Sequence, residues 1–334
     1  MRLFKFSTLR PCPAFIGVMC SLSVLLSGHS FATNNDHPHT TLSEGVLLGQ
    51  PFNLNPSVPP GKNFDLLDWY LTLPIDSDKN DKADRVLEPI LDKGFEFKPV
   101  FYTAADGGMV FASPNYGAKT SKNTKYVRTE LREMLRRGNL RIKDQGVNKN
   151  NWVFGNMHFS GQKKAAAVGG SLEATLKVDR VSTTGDIKKV GRVIVGQIHA
   201  IDDEPIRLYY RKLPQNDKGT IYFAHEINGA DDEWHNIIGT RSHTASSPED
   251  GIALGELFSY KITVVVDQLY VTIIREGKPN ITKHVDMSDS GYHYSNQYMY
   301  FKAGVYNQNN TGAQNDYVQA TFYHLHNTHD GYVQ

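Results

Sequence analysis

The sequence contains only two cysteines, Cys12 and Cys20, and both precede residue 32. Behind them stand Arg2, Lys5 and Arg10, an apolar run from about Ala14 to Leu26, and Ser30-Phe31-Ala32, a small-x-small cleavage pattern. The run is too short to cross a bilayer, so residues 1–32 read as a secretory signal peptide rather than a membrane span. A twin-arginine pair is missing, and so is a cysteine just after the apolar run that might take a lipid. The expectation is an exported protein in the medium or the periplasm, with no membrane partner.

Cleavage after Ala32 would leave 334 − 32 = 302 residues and remove three basic and no acidic residues, taking the formal charge from +1 to +1 − 3 = −2. A chain without thiols has no disulfide, no thiolate metal site and no cysteine nucleophile. Its stability must come from a core, and the length suffices for one large domain. The negative balance and the lack of a basic run argue against nucleic acid. Residues 33–62, polar and bearing Pro51, Pro56, Pro59 and Pro60, show no sustained period and read as a flexible leader; residues 63–334 form the domain. A monomer is expected.

Long helical periodicity is nearly absent as well, the best candidate being a short piece near Leu87 to Leu91. Period-two runs recur instead. Leu172, Ala174, Leu176 and Val178 alternate with Glu173, Thr175 and Lys177, and Tyr260, Ile262, Val264 and Val266 alternate with Ser259, Lys261, Thr263 and Val265. Asp267-Gln268 then leads into a second run to Arg275, a hairpin pattern. A first strand is expected between Asp65 and Pro74. Many strands, turn residues between them and no βαβ rhythm predict an all-β fold, an antiparallel β-sandwich or β-jelly roll.

Three stretches carry polar residues where a strand's period brings them together. Tyr298 to Tyr306 puts Tyr298, Tyr300, Lys302, Gly304 and Tyr306 on one face and Met299, Phe301, Ala303 and Val305 on the other. Val127 to Arg132 presents Arg128, Glu130 and Arg132 together, two guanidinium forks that suit carboxylates or phosphates; a surface charge ladder is the competing reading. In Val193 to His199, Gln197 and His199 share a face that begins with Val193 and Val195, so the strand is expected to run from core to polar end. Burying an amide and an imidazole without partners is costly, and histidine titrates where a general base should.

Arg128-Thr129-Glu130-Leu131-Arg132, Gln197-Ile198-His199 and the Tyr-Phe-Lys-Ala-Gly-Val-Tyr run ending at Tyr306 resemble, in order, the three signature blocks of the alginate lyases of polysaccharide lyase family seven. The resemblance extends from about Phe64 to Tyr323. It implies a β-jelly roll with a concave cleft for an acidic polysaccharide of mannuronate and guluronate, cleaved by β-elimination without a metal or other cofactor. It also implies roles: Arg128 and Gln197 neutralise the uronate carboxylate, His199 and Tyr306 transfer protons, Arg132, Lys302 and Tyr300 hold neighbouring sugars, and Glu130 orients the arginines. The isoleucine of Gln-Ile-His is associated with guluronate-containing substrates. Loops such as 163–170 and 202–205 are expected over the cleft, where they would govern endo or exo action.

A glycoside hydrolase would need two positioned carboxylates, and Glu130 between arginines would make a poor acid. A non-catalytic polysaccharide-binding jelly roll would not need Gln197, His199 and Tyr306 together. Asp76 to Asp81 resembles the start of a calcium loop but has Asp81 where glycine belongs and Leu87 where the bidentate glutamate belongs, so a solvated acidic turn is expected. His324, His326 and His329 lack a completing carboxylate and are expected to be surface histidines rather than zinc ligands.

Overall fold

The computed structural model describes residues 44–330. The signal-peptide reading, and the leader before residue 44, lie outside the described residues. In chain order the strands are β1 (Trp69–Thr72), β2 (Arg85–Val86), β3 (Phe101–Thr103), β4 (Met109–Pro114), β5 (Arg128–Glu133), β6 (Trp152–Val153), β7 (Ala167–Arg180), β8 (Arg192–His199) and β9 (Ile206–Arg211). There follow β10 (Lys218–Glu226), β11 (Asp232–Ile238), β12 (Ile252–Ala253), β13 (Leu257–Val265), β14 (Gln268–Ile274), β15 (Ile281–Asp286), β16 (Tyr300–Asn307) and β17 (Tyr317–Asp330). The described helices are short: α1 (Pro60–Asn63), α2 (Glu88–Asp92) and α3 (Phe159–Lys164). The expected helix near Leu87, the first strand and the hairpin at Asp267 are all present.

One sheet has nine strands in the order β11-β10-β9-β8-β16-β5-β1-β2, with β12 beside β10; the other has eight in the order β15-β14-β13-β7-β17-β4-β3, with β6 beside β7. Apart from the parallel β6–β7 pair every pairing is antiparallel. This is a β-jelly roll. The sheets enclose one apolar core, built from Leu71, Leu131, Ile198 and Phe301 of the first and Phe111, Leu176, Tyr260 and Phe322 of the second. Because successive side chains point to opposite faces, filling the core with these residues leaves their polar neighbours on the outer face of the nine-stranded sheet.

Two expectations fail here. Residues 44–62, read as flexible, are held by the domain, and the part around Leu47 to Phe52 packs against the outer face of the eight-stranded sheet: Leu47 is buried, Leu48 N donates to Ser259 Oγ (2.9 Å), Thr175 Oγ1 donates to Leu48 O (2.7 Å), and the Phe52 ring meets Tyr323 at 5.6 Å. Paired backbone groups and one buried leucine suffice to order a segment that has no period of its own. His329 is no surface residue either. It is buried, with Nδ1 2.6 Å from Gly169 O and Nε2 2.8 Å from Glu133 Oε1, so both ring nitrogens already have protein partners. The acidic turn does form: Asp76 accepts the backbone N–H of Asn80 and of Asp81, and Asp84 that of Ser77.

Candidate active site

β16 lies between β5 and β8, and this alone unites the three blocks. Lys302 stands opposite Arg132 on one side and Gln197 on the other; Tyr306 faces Arg128, and Tyr300 faces His199. The face shared by Gln197 and His199 is not the face of Val193 and Val195, as strict alternation predicted. Register shifts in β8 near Val195 and in the β16–β8 pairing carry an extra residue. Val193 and Val195 belong to the core together with Ile198, while Gln197 and His199 turn outward. Gly196 points inward, where a Cβ would meet the Tyr260 ring at 2.8 Å. A bulge changes which side of the sheet a residue sees, and period counting cannot detect it.

Gly304 has a similar origin. Its φ of +132° and the 2.7 Å that would separate an added Cβ from Thr129 O belong to close approach by β5.

Glu130, almost fully buried, accepts from three donors: Arg128 Nη1 (3.0 Å), Lys302 Nζ and Gln197 Nε2. Burial favours its neutral acid, but Lys302 and then Arg128 outweigh that and hold the carboxyl below its ordinary value. Lys302 is itself pushed down to about 8, by burial and then by Arg128. Arg132 is not among the groups that Glu130 orients. Its Nη1 donates to Glu133 O (2.8 Å), and its Nη2 to Asp144 O (2.5 Å) and Asn151 Oδ1 (2.8 Å). The guanidinium stacks 3.9 Å from the Tyr300 ring centroid.

His199 Nδ1 lies 2.7 Å from Ala200 O, which fixes the proton on Nδ1 of the neutral ring and leaves Nε2 with a lone pair. Burial, followed by the charge of Lys302, pushes the imidazole down to about 3, so the ring is neutral at neutral pH. The ring stacks on Tyr300 at 5.1 Å. At Tyr306 the nearby cation is Arg128, 3.5 Å from the ring centroid. Burial raises this phenol above its ordinary value, against the opposing pull of Arg128. Arg128 Nε is buried without an acceptor, so the guanidinium holds Glu130 with one edge and keeps donor capacity on another.

Residues 64–329 match the family model described as "Alginate lyase". The chain belongs to the alginate lyases of polysaccharide lyase family seven. It is 55% identical over 279 residues to an alginate lyase of Klebsiella pneumoniae, covering 81% of this chain and 91% of that one. The crystal structure of the alginate lyase from Klebsiella pneumoniae superposes with a TM-score of 0.80 at 55% identity, over 82% of this chain and 99% of that chain. A family 7 alginate lyase, A1-II′, in complex with the substrate GGMG gives a TM-score of 0.58 at 26% identity, over 83% and 99% of the two chains. The protein is therefore a polysaccharide lyase.

The sequence reading missed several groups around this lyase's site. Glu204, in the connection between β8 and β9, places Oε1 3.3 Å from His199 Nε2 and Oε2 3.8 Å from Arg207. Asn151 anchors Arg132 from a segment with no strand pattern. Tyr126 meets Tyr306 edge to face at 6.3 Å. No local period marks any of them, because all three lie outside the outward row of a strand. Of the two loops expected over the cleft, 163–170 is no loop: it is the end of α3 and the start of β7, in the other sheet. Ile198 is fully buried in the core, so it does not meet substrate directly.

Proposed function

We propose that this exported lyase, acting as a monomer, cleaves alginate by β-elimination on the outer face of the nine-stranded sheet. The single observation that carries the reading is the meeting of a neutral imidazole whose Nε2 bears the lone pair and lies 3.3 Å from Glu204 Oε1, a phenol under a guanidinium, and buried donors not fully used by the protein. A C5 proton beside a carboxylate is hardly acidic until that charge is neutralised. Arg128 and the second N–H of Gln197 bind the carboxylate. One such ion pair at about 4 Å and an effective dielectric near 20 is worth about 4 kcal/mol if it tightens as the dianionic intermediate forms. That is roughly three decades in rate.

The base then takes the C5 proton, the C5–H electrons become the C4=C5 double bond, the C4–O4 bond breaks, and O4 receives a proton. Where the C5 proton and O4 lie on opposite faces, as in guluronate, His199 is the base and Tyr306 the acid. Where both lie on one face, as in mannuronate, Tyr306 serves both steps, with Arg128 stabilising the phenolate. Lys302 and Tyr300 flank the reacting sugar, and Glu130 orients Arg128, Lys302 and Gln197.

The test is ultraviolet absorbance of the conjugated uronate, with purified protein on mannuronate and guluronate blocks. A rise supports elimination. Reducing ends appearing without a rise would mean hydrolysis, and binding without either would mean a carbohydrate-binding module. Fractionating cells and medium tests export, and light scattering on a sizing column tests the monomer.

A further inference from the structure

On the same outer face, beyond Tyr306, lies a pocket of about 590 Å³, within the size range of ligand sites. Arg192 of β8, Arg211 of β9 and Arg241 after β11 line it, over a floor of Tyr222 and Trp234. None of these three guanidiniums forms a salt bridge among the described residues. Elsewhere the same sheet neutralises its cations: Arg207 alone contacts Glu204, Glu226 and Asp232. Arg211 is 5% exposed, yet its Nε has no acceptor, and its Nη1 and Nη2 reach only the carbonyls of Arg241 (2.8 Å) and Ile187 (2.6 Å). Burial, with Arg192 and Arg241 beside it, lowers Arg211 from its ordinary value. A buried guanidinium such as Arg211, with two more beside it and no carboxylate among them, is stabilised when an anion enters the cavity.

The pocket is continuous with the reacting centre. Tyr306, Ile194, Tyr209, Tyr222 and Ala224 form an apolar cluster separate from the core, with Tyr126 and Trp234 packed on it. Tyr209 stacks on Tyr222 at 4.9 Å, and Trp234 lies 5.6 Å from Tyr209 and 5.9 Å from Tyr222. Arg241 lies 4.5 Å from the Trp234 ring centroid. Arg192 Nη2 donates to Tyr126 Oη at 3.5 Å, and Tyr126 touches Tyr306. An apolar row of rings, joined by Ile194 of β8, thus crosses the sheet from β16 to β11 with guanidiniums that have no carboxylate partner along one side; Tyr209 and Tyr222 are buried beneath it, and the half-buried Trp234 and Tyr126 are its accessible rings. A pyranose ring has an apolar face for such a floor and, in a uronate, a carboxylate for such an edge.

We propose that this pocket is a distal uronate subsite, which holds sugars of a long chain several residues from the scissile bond and makes the lyase favour long substrates. The proposal rests on the alginate-lyase reading above. It is tested by kcat/KM on purified uronate trimers and hexamers for the wild type, Trp234→Ala and Arg241→Glu. Arg241 is exposed and Trp234 half-buried, so melting curves of the variants serve as the folding control. The expected result is a fall of about ten-fold or more on hexamer for each variant, with trimer unchanged. Arg241→Lys should recover part of the hexamer rate. Equal losses on both lengths, or no loss on hexamer, would overturn the subsite. Should the wild type form no unsaturated uronate from either length, the lyase reading fails. Calorimetric binding of hexamer against trimer, in wild type and Arg241→Glu, then still judges the pocket: a hexamer preference lost in the variant upholds it, and its absence in the wild type refutes it.

Discussion

The Arg128 guanidinium lies 3.5 Å from the centre of the Tyr306 ring, across the β5–β16 pair, and also binds Glu130 at 3.0 Å. One cation thus serves the proton donor and the buried carboxylate together. Removing it by Arg128→Ala should lower kcat by about three decades or more. It should also let the Tyr306 phenol rise further, since Arg128 is what pulls it down. With Tyr306 as acid, the alkaline limb of the kcat profile on guluronate blocks moves to higher pH. A limb that stays in place in the residual activity would separate Tyr306 from that ionisation.

His199, held near 3, must be neutral to accept a proton, and a lowered value extends the neutral form toward acid. The acid limb of kcat/KM on guluronate blocks should therefore lie well below the ordinary histidine value of 6.5. His199→Ala should abolish turnover of these blocks while leaving the melting temperature near that of the wild type. A wild-type limb centred near 6.5 would contradict the environment described for the ring.

Arg132, expected to hold substrate, also ties down the irregular segment 134–151 through its bonds to Glu133 O, Asp144 O and Asn151 Oδ1. Arg132→Ala should cost about 2–4 kcal/mol of stability, since charge-assisted hydrogen bonds are lost and buried acceptors are stranded. Denaturant melts measure this. A variant as stable as the wild type and altered only in KM would mean that Arg132 serves binding alone.

Gly304→Ala places a Cβ 2.7 Å from Thr129 O and 3.0 Å from Glu130 Cα, at a φ of +132°. A loss of about 2–4 kcal/mol is expected, with β16 forced off β5 and catalysis reduced through displaced Lys302 and Tyr306. Thermal melts and kcat on alginate check both effects.

His329, raised by Glu133 despite burial, gains its proton's partner only in the folded state. The stability it contributes is fully present below the ordinary 6.5 and is lost as pH rises through the raised value. The melting temperature of the wild type should therefore fall across that window. In His329→Gln it should be lower at acid pH and flatter through the window, whereas parallel profiles would mean that the pair does not titrate there.

Much of this was legible in the residues. Alternation in Tyr298 to Tyr306 and in Arg128 to Arg132 predicted which side chains share a face, because side-chain direction in a regular strand depends only on the backbone between neighbours. The hairpin at Asp267 and the scarcity of helix were local in the same way. What alternation could not reach was decided by contacts between distant segments. The bulge near Val195 reversed the expected face of Gln197 and His199, because it arises from pairing β8 with β9 and β16. Glu130 chose Lys302 and Gln197 over Arg132 because Lys302 stands on the neighbouring β16 and Gln197 reaches it from β8 beyond, and Arg132 was claimed by the loop at Asn151. His329 was buried by a glutamate nearly two hundred positions earlier. The linear sequence determined an all-β chain with three outward polar rows. Only the tertiary structure decided which charges meet, because pairing energies depend on distances that strand order sets.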